Sequence, residues 1–346
     1  MCNKKGKIMS YKLLFGTYTK SESKGLYEAE LSDSGELKNL KNTAEIGSPT
    51  YFAVSNAGLL YAVDKQDQRG GVSVWDTSTI PFKKTDEQIS DGSSPAYIFV
   101  DEKRQLVFTG NYHKGLVSIY KIDGQKLIKS DEFKNEGSGP RPEQESSHIH
   151  FTALTPDNRL VAVDLGSDEL LTFELSKDGK LSQPTRFKTE KGFGPRHIRF
   201  SKDGNYAYLL GELSSKLSIL KYKEGKFELV KTVSTIPADW TAHNGAAAIR
   251  LSNDYKFIYN SNRGYNSIAV FKISENQENV ELIQQISTEG DFPRDFNVSP
   301  DGKYLVAVNQ NTNNATSYSI NPENGKLTLI QKDFYLPEAV RVYFEK

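Results

Sequence analysis

The chain has 346 residues, and its 44 basic and 44 acidic side chains cancel; this length suits two average domains or one large all-β or α/β domain. No Lys/Arg stripe interleaves with aromatics, so neither nucleic acid nor an anionic membrane surface has electrostatic support, and neither is expected as a partner. With 18 tyrosines, 18 phenylalanines and 26 glycines against two methionines, the composition favours strands and tight turns over packed helices.

The chain begins MCNKKGKIM, with Lys4, Lys5 and Lys7 and no apolar run of signal-peptide length behind them. Residues 1–9 are expected to be a disordered leader, with Met9 a candidate start, ahead of one domain over residues 10–346. The single cysteine, Cys2, permits no internal disulfide, which is typical of a reducing compartment, so a cytoplasmic protein is expected. No stretch approaches the roughly 18 apolar residues that span a bilayer.

Six similar segments follow in order: SPTYFAVSNAGLLYAVDK, SPAYIFVDEKRQLVFTGNY, SHIHFTALTPDNRLVAVDL, GPRHIRFSKDGNYAYLLGE, GAAAIRLSNDYKFIYNSNR and FPRDFNVSPDGKYLVAVNQ. Each reads as an alternating strand, a polar turn and a second apolar strand. The matching positions Pro49, Pro95, His148, Pro195, Ala246 and Pro293 lie 46 to 53 residues apart. A third strand follows each hairpin, as in GLVSIYKI or KLSILKY, and often a fourth. Such a unit cannot bury both faces alone, so the period predicts an all-β protein, a β-propeller with four antiparallel strands per blade. LPEAVRVYFEK at 336–346 and YKLLFGTYT and GLYEAEL near the start supply complementary pieces of one more blade. The expectation is seven blades, the ring closed by N- and C-terminal strands sharing one sheet.

In a propeller the first strand of each hairpin lines the channel, so its start and the end of the second strand share one mouth. Strand starts bring Tyr51, Tyr97, His148, His150, Arg196, His197, Arg294 and Asp295 there; strand ends bring Asp64, Asn111, Asp164, Glu212, Asn262, Arg263, Asn309 and Gln310. Asn and Asp at strand ends commonly cap turns. Arginine is harder to explain so, because a guanidinium buried without a partner is costly; the bland reading of Arg196 is an internal ion pair with Glu212. His148 and His150 form an H-x-H pair, but no third ligand at diagnostic spacing accompanies them, so neither a metal nor a cofactor is expected. The loop GSGPRPEQESS at 137–147 is an insertion, and whether it closes over the mouth through Arg141 stays open.

FGTYT, SSHIHFTALTPDN, GPRHIRFSKDGNYAYLLGELSS, IYNSNRGYNSIAVF and FPRDFNVSPDGKYLVAVNQ together resemble the lactonase family of seven-bladed propellers. That family includes propeller-type 6-phosphogluconolactonases and carboxy-cis,cis-muconate cyclase. The resemblance covers residues 11–346 and implies a catalytic quartet of His150, Arg196, Glu212 and Arg263, with His148 close enough to be confused with His150. Gly211 departs from the asparagine common in the family. The implied activity is hydrolysis of a sugar-phosphate lactone, 6-phosphoglucono-δ-lactone foremost, in the pentose phosphate pathway. Glu212 or His150 would activate water, Arg196 would stabilise the oxyanion, and Arg263, with Arg294 and His197 nearby, would hold the phosphate. His148, Asn111 and Asn309 complete the expected substrate-binding set. The alternatives are a hydrolase or lactonising enzyme for another, carboxylated lactone, and a non-enzymatic interaction platform.

Overall fold

The computed structural model describes residues 10–345; the expected leader, with Cys2 and Met9, lies outside them. Those residues form seven four-stranded antiparallel sheets, six of them in sequence order from the inner strand outwards. The inner strands are Phe52–Val54, Tyr97–Asp101, Ile149–Leu154, Pro195–Phe200, Gly245–Leu251 and Pro293–Val298. In the remaining sheet the inner strand is Ala339–Phe344, paired with Tyr11–Thr17, followed by Gly25–Leu31 and Leu37–Glu45. The termini thus close the ring inside one blade, as the complementary end segments predict.

Apolar faces of neighbouring sheets make the core. Leu13, Phe15 and Val342 of the closing blade pack with Val306 and Val308 of the sheet before it, and Leu14 and Leu26 pack with Phe52 and Leu60 of the sheet after it. Each such side chain, when fully buried, contributes about 1.5–3 kcal/mol. A single blade has nowhere to gain that energy.

The hairpin tips repeat one device. In the Ser-x-Asp turns, Ser201 and Ser299 hydroxyls donate to Asp203 and Asp301 at 2.6 and 2.7 Å and accept the backbone N–H of Tyr206 and Tyr304. The residue after each aspartate is Gly204 or Gly302, at φ 76°, the left-handed conformation glycine reaches without strain. These tips face away from the mouth that carries the charged residues and set the register of each inner strand against its neighbour.

Candidate active site

Register along the inner strands explains how the cationic side chains reach the channel. Pro195 pairs with Gly211 and His197 with Leu210, so Arg196 is an extra residue. His150 is extra in the same way between Ile149 and Phe151, and Arg294 between Pro293 and Asp295. Such bulges suspend the alternation of faces and re-aim a side chain. Arg196 and His197 therefore both face the channel, where plain alternation would turn one away.

Phe151, His197 and Asp295, which follow these bulges, form the floor together with Tyr51 and Tyr97. Tyr51 and Tyr97 have ring centroids 4.1 Å apart, Tyr97 and Phe151 4.3 Å, and Phe151 and His197 5.0 Å. Arg341 lies 4.2 Å from the Tyr51 ring. Asp295 closes the circle with its carboxylate taken up by Arg250 Nη2 at 2.8 Å, Arg341 Nη1 at 3.1 Å and Val342 N–H at 3.1 Å.

Above this floor is a cavity of about 900 Å³. Its lining includes His150, Arg196, His197, Glu212, Arg263, Arg294 and Asp295, brought together from four blades. Glu212 is the centre of the charge arrangement. Its Oε2 lies 2.8 Å from Arg196 Nε and its Oε1 2.8 Å from Arg263 Nη2. Burial alone would raise this carboxyl, but the Arg263 and Arg196 charges outweigh it and hold Glu212 well below the usual carboxylate range. The ion pair expected as the bland reading of Arg196 is present, and it joins a second arginine in the same cavity.

Both arginines are pinned from behind by the start of strand Gly245–Leu251. Arg196 Nη1 donates to the Ala247 carbonyl, and Arg263 donates through Nε to Gly245 O at 3.1 Å and through Nη2 to Ala246 O at 3.3 Å. A Cβ at Gly245 would stand 2.9 Å from Arg263 Nη2, so glycine there permits the close approach. Arg196 Nη2 and Arg263 Nη1 have no protein partner among the described residues, which leaves each guanidinium one terminal nitrogen for a ligand.

His150 and His197 are buried beside this pair, with ring centroids 5.3 Å apart. Burial, reinforced by the charge of Arg196, lowers both well below the ordinary imidazole value, so both are neutral at neutral pH. His197 Nε2 accepts from Arg196 Nη1 at 3.2 Å, which places its proton on Nδ1. Nδ1 of His150 is buried without a hydrogen-bond partner.

The structure does not bring His148, Asn111 or Asn309 to the cavity lining. His148 stacks on Tyr112 with centroids 4.1 Å apart, and its ring nitrogens meet Tyr112 O at 2.8 Å and Glu145 at 3.3 Å. Asn111 donates to Ser93 O and accepts from Lys114 N–H, and Asn309 donates to Thr288 O; both tie strand ends to adjoining loops. Asp164 and Asn262 do the same. The loop at 137–147 is anchored outside the cavity: Gln144 donates to Leu165 O and Asp168, both at 2.8 Å, and Arg141 lies against Gly192. No cluster of three or more His, Cys, Asp or Glu side chains suited to a metal occurs among the described residues.

The sequence singles out none of Tyr18, Lys20, Lys65 or Tyr112, yet all four line the cavity. Tyr112, Glu212 and Arg263 share a signal: each directly follows or ends the second strand of its hairpin, one residue beyond Asn111, Gly211 and Asn262; Lys65 lies one residue beyond Asp64, inside the strand Leu59–Gln66.

Comparison with known proteins agrees with this architecture. Residues 12–344 match the family model described as lactonase, 7-bladed beta-propeller. The 6-phosphogluconolactonase of Bacillus subtilis is 38% identical over 338 residues, 95% of this chain and 97% of that protein. A crystal structure of a Lactobacillus plantarum protein superposes with a TM-score of 0.96 at 50% identity, covering 98% of this chain and 100% of that one. The periplasmic gluconolactonase of Pseudomonas aeruginosa superposes with a TM-score of 0.90 at 25% identity, covering 97% and 99%.

Proposed function

Because the chain belongs to the seven-bladed β-propeller lactonase family, we propose that it hydrolyses a sugar δ-lactone, with 6-phosphoglucono-δ-lactone the foremost substrate. One observation carries the reading: the half-buried Glu212 carboxylate bridging the buried Arg196 and Arg263, with a neutral histidine beside them, inside a cavity of net positive charge. A lactone carbonyl needs an activated water and stabilisation for the oxyanion that forms on it. The uncommitted terminal nitrogens of Arg196 and Arg263 supply two donors for that oxyanion, preorganised in a partly dry site.

Of the two expected bases the reading takes His150, the one that is in no ion pair. Glu212, clamped between two guanidiniums, is a weak base. His150 is a neutral imidazole whose Nδ1 is fully buried, which leaves Nε2 as the nitrogen to take the proton, and Glu212 is the neighbour whose charge favours the imidazolium that forms. Water loses a proton to His150 as its oxygen bonds to C1. The tetrahedral intermediate then collapses with cleavage of the C1–ring oxygen bond, the ring oxygen takes the proton back from His150, and the aldonic acid so formed loses its carboxyl proton to solvent and leaves as the aldonate. Selective acceleration of freshly generated 6-phosphoglucono-δ-lactone over glucono-δ-lactone, each against an enzyme-free blank, supports this reading. No acceleration of either compound refutes it.

A further inference from the structure

The cavity holds two kinds of cation, and only one kind is already engaged. Arg196 and Arg263 are committed to Glu212 and to backbone carbonyls. Arg294, Lys20 and Lys65 line the same cavity and have neither a carboxylate within ion-pair distance nor a side-chain hydrogen bond among the described residues. Arg294 and Lys20 flank one aromatic ring, with the Arg294 guanidinium 5.7 Å and Lys20 Nζ 4.2 Å from the centroid of Tyr18. The phenol itself responds to them: the Arg294 charge outweighs burial and, with Lys20, lowers Tyr18 below its usual value, which makes its O–H a stronger donor.

The segment that carries Tyr18 and Lys20 is held by one residue. The Glu338 carboxylate accepts the backbone N–H groups of Lys20, Ser21, Glu22 and Ser23 at 2.9 to 3.2 Å, and Glu338 O accepts that of Tyr18 at 2.9 Å. Ser48 ties down the opposite side through Thr19. An exposed lysine next to a strand end would otherwise be free to swing away; here its backbone is fixed toward the cavity.

We infer that Arg294, Tyr18 and Lys20 form the subsite for the phosphate monoester of the substrate, distinct from the Arg196–Arg263 pair that meets the lactone carbonyl. The guanidinium matches two phosphate oxygens, and the phenol and ammonium supply further donors. This reassigns the phosphate from Arg263 and His197. Arg263 has only Nη1 left by Glu212 and the backbone carbonyls, too little for a bidentate phosphate, and the one free ring nitrogen of His197 lies buried at the floor. A phosphate on C6 stands outside the lactone ring, so separate sites for the two ends fit the substrate's shape. The inference rests on the lactonase reading for its substrate, and Glu338 is a positioning residue that acts through the segment it holds.

The test is the ratio of kcat/KM for 6-phosphoglucono-δ-lactone to that for glucono-δ-lactone, in wild type, Arg294→Gln and Lys20→Gln. Calorimetric binding of 6-phosphogluconate and of gluconate accompanies it. Arg294→Gln is expected to lower the ratio about 30- to 100-fold, the scale of one to two charge-assisted hydrogen bonds, mostly through KM. Lys20→Gln, on an exposed side chain, is expected to lower it several-fold and remains informative if Arg294→Gln does not fold. An unchanged ratio in both variants overturns the subsite. Should wild type hydrolyse neither lactone, the lactonase reading fails and binding decides the subsite alone. Loss of 6-phosphogluconate binding in Arg294→Gln then upholds it, and equal wild-type affinity for the two acids overturns it.

Discussion

Replacing Glu212 by glutamine tests the charge arrangement most directly. The substitution keeps the size and removes the one carboxylate that Arg196 and Arg263 both touch at 2.8 Å. Arg196 and Arg263 are 3% and 5% exposed, so neither can turn to solvent for compensation. Removing one partner of a buried pair typically costs about 3–5 kcal/mol; the Glu212 side chain is 20% exposed and borders the cavity, which argues for the lower end, about 3 kcal/mol. That is a large part of a typical net stability of about 5–15 kcal/mol. The readout is urea denaturation with and without 6-phosphogluconate. The variant should unfold at clearly lower urea than wild type. At one fixed concentration the anion, whose carboxylate replaces the missing one, should stabilise the variant more than wild type, by about 2.7 kcal/mol where it stands at a hundredfold excess over the variant's dissociation constant. Turnover should fall by about 10²-fold or more, because the charge that favours the His150 imidazolium is gone. A variant with the wild-type urea midpoint, or one gaining no more from the anion than wild type does, refutes the argument that Glu212 is the counterion of both arginines.

Other expectations follow from the same contacts. His150 and His197 stay neutral when folded while their unfolded counterparts protonate near 6.5, so stability is full above that value and falls as pH drops below it. The loss between pH 6.5 and 5.5 is about 1 kcal/mol per histidine, and a double His→Gln variant should show a flatter pH dependence in denaturant titrations; an equal slope speaks against it. For the same reason the acid limb of kcat/KM should lie below 6.5, and a limb at or above that value removes His150 as the base. Glu338→Ala releases four backbone N–H groups, so trypsin should begin to cut after Lys20 or Lys24 in the otherwise folded variant, and unchanged resistance there contradicts the anchoring role.

Much of the fold is legible because each blade repeats a local pattern whose physics is local. A serine hydroxyl, an aspartate and a residue able to adopt positive φ set the tip of a hairpin wherever S-x-D-G recurs, and alternation sets the two strands beside it. Ring closure is legible for a different reason: a strand-like ending, AVRVYF, has no hairpin partner nearby, and among the described residues the strand that lacks another inner neighbour, Tyr11–Thr17, is at the other end of the chain. Outer strands obey neither constraint. Thr185–Lys188 has four residues where its counterparts have eight or nine, and a bridge between Leu175 and Leu181 precedes it; an edge open to solvent tolerates such variation.

The site is less legible, because the deciding events are single-residue shifts of phase. Alternation places adjacent side chains on opposite faces, and by that rule Arg196 and His197 cannot both enter the channel. The bulge at Arg196 is visible only in the pairing of the two strands, as are those at His150 and Arg294. A second shift affects the strand ends. Asn111 and Asn309 tie strand ends to adjoining loops, whereas the position after Asp64, Asn111, Gly211 and Asn262 supplies Lys65, Tyr112, Glu212 and Arg263 to the cavity. Grouping both positions as one set mixes structural amides with charged lining. The bulges also account for the division of labour among the arginines. Arg196 is aimed at a carboxylate because the neighbouring second strand delivers Glu212; Arg294, raised by an equivalent bulge, meets the Tyr18 ring and no carboxylate. Equivalent backbone geometry with different second-strand residues thus yields one neutralised cation and one unneutralised cation in the same cavity, the pair that the proposed substrate, with a developing oxyanion at one end and a phosphate dianion at the other, would require.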